Sequence, residues 1–313
     1  GANSGSIAGE NNGGSGTHTF YGAGKNNYSN TGNYCNISGN YNHSNTGNYC
    51  QISGANNNNN SGNYCSISGY YNNTNTGDYC SISGSYSYEN SGNYCTISGY
   101  HPFAVVNSGH YCSISGYYNN GNSGDYCSIS GSNNHNNASS YSIIGGKDND
   151  YISTDADYSL ICGQLNSKTG ANASEGSHSI IGGKNNYNNH GNYCSISGSG
   201  NYNNSGSYTS ISGRSNHTNS GSYTSISGYG NIGNTGRYCS ISGYGGGDWG
   251  GFDNEGNYCS ISGYYNQGNE GDYCTIAGRN NINNAYNDCH IFGHSISTDV
   301  ANTTYVENLR VES

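Results

Sequence analysis

The sequence predicts an all-β fold, a parallel β-solenoid of about 19 coils with a 15-residue period. Three observations carry this reading. Seventeen segments end in the same glycine, from Gly39 to Gly293, and 12 of the 16 steps between them are 15 residues long, the others being 17 or 20. An isoleucine stands two residues before that glycine in all 17 segments. Only 36 of the 313 residues are Ile, Leu, Val or Phe. That is too few for a conventional globular core, so the isoleucines must be gathered along one axis to be buried at all.

Each coil carries the phrase Gly-Asn-Tyr-Cys-Ser-Ile-Ser-Gly, as at residues 62–69. Tyr-Cys-Ser-Ile-Ser between glycines reads as a short strand, in which side chains two apart share a face. Isoleucine and cysteine therefore point one way, and tyrosine with both serines the other. The invariant face is the interior. One column is Ile37, Ile52, Ile67, Ile82, Ile97, Ile114, Ile129, Ile144, Ile161, Ile181, Ile196, Ile211, Ile226, Ile241, Ile261, Ile276 and Ile291. The other is Cys35, Cys50, Cys65, Cys80, Cys95, Cys112, Cys127, Cys194, Cys239, Cys259, Cys274 and Cys289, with Ser142, Ser159, Ser179, Thr209 and Thr224 in the remaining coils. The glycine columns suit tight turns of positive φ. Three residues after the terminal glycine there is usually asparagine, as at Asn42, Asn57, Asn72, Asn119, Asn186, Asn216 and Asn266. This column is expected in a turn, where asparagine tolerates left-handed backbone and stacked amides bond one another.

One Ile and one Cys contribute about 2–3 kcal/mol of burial per coil, which cannot order 15 residues alone. Stacking can: coils at roughly 4.8 Å give a rod on the order of 90 Å long, with backbone hydrogen bonds running along its axis. Residues 1–295 read as one repeat domain. Residues 296–313 read as a C-terminal extension that caps the roll, exchanges strands or connects to a further module. The four long steps place their extra residues at 101–106, 148–154, 166–175 and 245–253, and these insertions are expected to bulge from one side.

Composition narrows the function. The eight Lys and Arg form no basic patch, and the net charge is −10, which argues against nucleic acid. No apolar run approaches the length of a membrane span, so no membrane insertion is expected. The chain begins Gly1-Ala2-Asn3 and holds no Met, which fits a mature exported chain. Carboxylates are scattered, His shows no fixed spacing with Cys or Asp, and no serine sits in a nucleophile elbow. No enzyme, cofactor or metal site is expected.

The 13 cysteines read best as a column of buried thiols acting as small hydrophobes. Disulfides along the rod or between chains are the alternative, and the spacing does not match a metal site. Cys162 takes a serine position, so it points outward as a reactive or cross-linking thiol. Tyr34, Tyr49, Tyr64, Tyr79, Tyr94, Tyr111 and Tyr126 begin an outward column beside two columns of serine, a larger aromatic strip than a soluble monomer usually shows. It is a candidate interface, as are Phe103 and Val105 in the most apolar insertion, and Trp249 and Phe252 in the insertion holding the single Trp. Asn-x-Ser/Thr sequons at Asn27, Asn42, Asn72, Asn216 and Asn302 leave glycan decoration open.

At Tyr141-Ser142-Ile143-Ile144-Gly145-Gly146 and His178-Ser179-Ile180-Ile181-Gly182-Gly183 the chain resembles the head repeats of YadA-type trimeric autotransporter adhesins. The Asn- and Ser-Gly-rich phrasing is similar to repeat stretches of phage and viral fibre proteins. The resemblance implies a left-handed β-roll, three of which associate, on a cell or virion surface. The period of 15 departs from the usual 14 of those heads, and cysteine in the core is not typical of them.

These readings converge on an extracellular structural fibre or adhesive rod that associates laterally through its Tyr/Ser face. The expected partners are copies of itself, as a homotrimer or a head-to-tail filament, and a host or surface receptor. The alternative is a subunit polymerised end to end into a filament. An ice-binding face is a weaker alternative, because Thr is scarce there and the bulky Tyr column disrupts flatness.

Overall fold

A computed structural model describes residues 5–6, 9–101, 106–166, 177–245 and 253–307. Phe103, Val105, Trp249 and Phe252 lie outside the described residues. The chain forms two compact units, Gly1–Thr154 and Asp155–Ser313. Each is a parallel β-solenoid, with about 18 turns in all. Gly5–Ser6 and Gly9–Glu10 both pair with Phe20–Lys25, so the Gly9 and Gly24 coils stack in register on the Gly39 coil.

Strands are very short. In the first unit Phe20–Lys25 and Asn36–Asn40 span six and five residues, and later coils contribute two, as in Ser66–Ile67 paired in register with Ser81–Ile82. The second unit begins with two-residue strands such as Leu160–Ile161 and they then lengthen to five, as in Ser225–Tyr229 against Ser240–Tyr244. The pairing places each isoleucine on the isoleucine of the next coil, and the ladder is buried from Ile37 to Ile144 and from Ile161 to Ile291. Both ladders also carry a tyrosine at an isoleucine position. Tyr21 pairs with Ile37 in the first unit, and Tyr305, in Thr304–Val306, pairs with Ile291 in the second. The Tyr21 hydroxyl lies 3.4 Å from the Asn30 carbonyl, and the Tyr305 hydroxyl bonds Asp299 and Val300.

Tyrosine does not continue the strand, contrary to simple alternation. A regular coil has three corners in the left-handed region, for example Asn56, Asn59 and Tyr64 at φ 57–58°, with glycine at some of them, such as Gly121 and Gly200. Each precedes a buried residue, here Asn57, Asn60 and Cys65. The left-handed residue turns the corner that aims the next side chain inward. It also reverses its own N–H: Tyr79 N–H donates back to Asn63 O of the preceding coil at 2.8 Å, while Ser68 N–H donates forward to Ile82 O at 2.8 Å.

The asparagine column is interior, which corrects its expected place in a turn. Asn57 is fully buried. Its Oδ1 accepts from Asn72 N–H at 3.0 Å, and its Nδ2 donates to Ser53 O at 2.6 Å. The left-handed residue is the one before it. A second buried column, six residues after the terminal glycine, runs through Asn45, Asn60 and Asn75, and here each Nδ2 donates to the Oδ1 of the asparagine one coil before, as Asn60 does to Asn45 and Asn75 to Asn60. Amides therefore fill the half of the interior that Ile and Cys leave.

Among the described residues the first column is interrupted between Asn72 and Asn119. Ser87 takes an asparagine position in one coil, and in the next His101 turns inward and is fully buried. His101 Nε2 lies 3.2 Å from Ser98 O, filling the amide donor's place.

Three of the four insertions run through residues outside the described ones. In the fourth, Asp150–Ile152 pairs with His135–Asn137 and Ile152 keeps the second-column position. The extra residues there come later, around the short helical turn Thr154–Ala156. Among the described residues no helix is long and apolar enough to cross a membrane.

Candidate functional site

The left-handed turn before each cysteine sends the tyrosine ring out along the coil axis. In the first unit Tyr34, Tyr49, Tyr64, Tyr79, Tyr94, Tyr111, Tyr126 and Tyr141 stack face to face, with centroids 4.7–4.9 Å apart and planes within 5°. His18 extends the stack on Tyr34. The second unit carries its own run from Tyr193 to Tyr273 at 4.8–5.0 Å. The ring spacing is the coil spacing, because each ring is carried by the same backbone position one layer on. Stacked pairs are worth about 0.5–1.5 kcal/mol each, the same order as the roughly 1–2 kcal/mol by which left-handed backbone disfavours a residue with a side chain. The ladder thus offsets the strain of the corner that creates it.

Beside the rings runs the outward serine column. In the second unit the two walls enclose a shallow groove lined by Tyr208, Tyr223 and Tyr238 on one side and Ser210, Ser225 and Ser240 on the other. The residue before each tyrosine caps the neighbouring coil: Asn48 N–H donates to Asn63 Oδ1, Asn63 N–H to Asp78 Oδ1, and Asp78 N–H to Asn93 Oδ1, at 2.6–2.9 Å. Each ring stays half-exposed.

Loss of water beside the ring, then repulsion from the flanking phenols, raises the hydroxyl pKa of Tyr79 and Tyr126. The folded chain therefore holds these protons past the ordinary phenol value of about 10. The contribution of these two groups to stability is whole below that pH and is lost as pH rises through the raised values. We expect the ring resonances of Tyr79 and Tyr126, followed by NMR, to titrate above those of free tyrosine. Titration matching free tyrosine at both rings would contradict this.

Beneath the rings, Cys35, Cys50, Cys65, Cys80, Cys95, Cys112, Cys127, Cys194, Cys239, Cys259, Cys274 and Cys289 are free and buried, and Cys162 is free and partly exposed. The buried thiols are more than small hydrophobes. Cys50 Sγ donates to Gly62 O and Cys80 Sγ to Gly92 O of the next coil, both at 3.2 Å. Thr19 and Ser179 make the same bond with a hydroxyl, whereas Thr209 and Thr224 donate to Gly206 O and Gly221 O of their own coil, so these Cys, Ser and Thr side chains each give a donor to a glycine carbonyl. The neighbouring Cys35 and burial hold the Cys50 thiol up at about 11, and Cys50 does likewise for Cys65, also about 11. At the start of the run the Cys50 thiol lowers Cys35 to about 7, yet burial keeps it from solvent. We expect a disulfide-exchange thiol reagent to label Cys162 promptly in the native chain and all 13 thiols after denaturation without reductant. A denatured count well under 13 would show that the columns are oxidised.

Of the sequons singled out, Asn27, Asn42, Asn72 and Asn216 are fully buried with their amides bonded to neighbouring coils, so a glycan there is incompatible with the stack. Asn302 is exposed. Periodicity could have revealed the second asparagine column, since it lies two residues before the second glycine of nearly every coil. The further aromatic stack Tyr187–Tyr202–His217 on another corner has only a short run of sequence behind it. Among the described residues no group of three or more His, Cys, Asp or Glu is placed to hold a metal ion. No family model matches the chain, and no curated protein matches it.

Proposed function

We propose that this chain is an extracellular structural fibre or adhesive rod, of the general kind found in the heads of trimeric autotransporter adhesins. Its work is length, stiffness and a repeated surface rather than catalysis, on a cell or virion surface. The observation that carries this reading is that side chains, and not only backbone, bond every regular coil to the next: the amide columns, the thiol column and the tyrosine ladder all repeat at the coil spacing. Such a stack resists bending and twisting in proportion to the bonds each layer makes.

Lateral self-association through the Tyr/Ser face belongs to the same proposal. Eight half-exposed rings in one line form a patch that contact with a copy would cover, and only a surface of the same pitch meets every ring. A host or surface receptor is the second partner class. Negative-stain microscopy and sedimentation test the proposal, using the native chain and a variant with Tyr64, Tyr79 and Tyr94 each changed to serine. Long rods that thicken by side-by-side packing, and separate in the variant, are expected. Compact particles, or rods whose thickness the variant leaves unchanged, would overturn the respective parts.

A further inference from the structure

We propose that the tyrosine ladder is an oxidative cross-linking site, at which a one-electron oxidant joins consecutive coils of the same chain through dityrosine. Three observations carry it. From Tyr34 to Tyr141, seven successive Tyr–Tyr pairs stand 4.7–4.9 Å apart with planes within 5°. All eight rings are 48–51% exposed, so oxidant reaches the hydroxyl edge. The backbone below holds partners together, because each tyrosine N–H bonds the preceding coil, as Tyr64 N–H does to Asn48 O.

The chemistry follows from this placement. Each phenol gives up one electron and its hydroxyl proton, leaving a phenoxyl whose unpaired spin sits partly on the ring carbons beside the oxygen. Two such carbons on stacked rings form a C–C bond, and the proton on each then moves to its own ring oxygen, which restores the hydroxyl and the aromaticity. With hydrogen peroxide as oxidant and a haem peroxidase as catalyst, two phenols and one peroxide yield one dityrosine and two waters. In a disordered chain two phenoxyls must meet by diffusion. Here they are already neighbours, the condition under which intramolecular reactions gain most. Exposed Tyr41 and Tyr286 stand outside the ladder and provide internal controls.

The test mixes equal amounts of unlabelled and nitrogen-15-labelled chain at low concentration and treats them with peroxidase and limiting peroxide. The products are digested with pepsin and the cross-linked peptides mapped by mass spectrometry. We expect links between coil neighbours such as Tyr64–Tyr79 and Tyr111–Tyr126, both partners carrying the same label. Their yield should exceed that of the guanidinium-unfolded chain by about tenfold or more. Tyr79→Phe keeps a stacking ring but removes the coupling phenol, so the links to Tyr64 and Tyr94 should vanish while Tyr34–Tyr49 and Tyr111–Tyr126 persist. The proposal is overturned if dityrosine does not form, if the unfolded chain gives the same pairs in equal yield, or if links join mostly labelled to unlabelled chains. That last result would instead speak for the lateral packing proposed above, so the two ideas fail separately.

Discussion

Alanine at Gly77 is expected to destabilise the first unit by about 4 kcal/mol or more, at the exceptional end of single substitutions. A Cβ built on Gly77 would stand 2.0 Å from Gly92 O and 2.8 Å from Gly92 C of the next coil. Neither atom can move away. Gly92 O is the acceptor for the Cys80 thiol at 3.2 Å, and the strands on either side fix the coil spacing. Gly77 is not in the left-handed region, so the demand there is contact alone. Gly200 is the converse case, with φ 68° and its nearest foreign atom 3.8 Å from the built Cβ. Its alanine variant should lose only the roughly 1 kcal/mol of left-handed strain. Stacked coils need not unfold in one step, so thermal melts should be paired with hydrogen exchange. Gly77→Ala should strip protection from the coils around residues 77 and 92 first. Melting of Gly77→Ala within about 2 °C of Gly200→Ala would refute the contact argument.

That contrast shows what could be read in the sequence and what could not. The isoleucine and cysteine columns were legible because strict spacing and small-for-small replacement are both signs of burial. The two glycine columns look alike on paper. Only the first needs positive φ as well as close approach, as at Gly69 with φ 101°, and the second needs close approach alone. Tyrosine at a left-handed corner was not legible, since a bulky residue disfavours that backbone and only the stack of rings from other coils repays it. The second asparagine column was as periodic as the first. It was hidden by the expectation that polar residues face water, which fails when every amide finds its partners one layer away. His101 was illegible for a related reason: it reaches the interior from the position before the asparagine site, by giving up the left-handed turn.

Changing Asn60 to aspartate should be nearly as damaging, and reversibly so with pH. Asn60 is 2% exposed. Its Nδ2 donates to Asn45 Oδ1 and to Asn72 O, both at 3.1 Å, while its Oδ1 accepts from Asn75 N–H at 3.0 Å and Asn75 Nδ2 at 2.8 Å. A carboxylate keeps the acceptor side and turns the donor side into a second acceptor, opposed to two oxygens in a buried interior. Removing one side of a buried bonded pair and adding charge costs about 3–5 kcal/mol. Protonation restores a single donor, so the folded state must raise the pKa of this carboxyl above its usual value of about 4. A raised folded pKa means the variant is most stable below the usual value and loses stability as pH rises through the raised one. The melting deficit against the native chain should therefore be larger at pH 7 than at pH 4. Asn33→Asp is the control. Asn33 sits in the partly exposed capping column, where the chain itself places Asp78, Asp125 and Asp272, and its Oδ1 accepts from the Thr17 N–H and the Thr17 hydroxyl, both at 2.7 Å. No aspartate occupies either buried asparagine column among the described residues, which is the pattern this energy difference demands. Equal melting of the two variants at pH 7 would mean the interior amides are not the donors that hold the coils together.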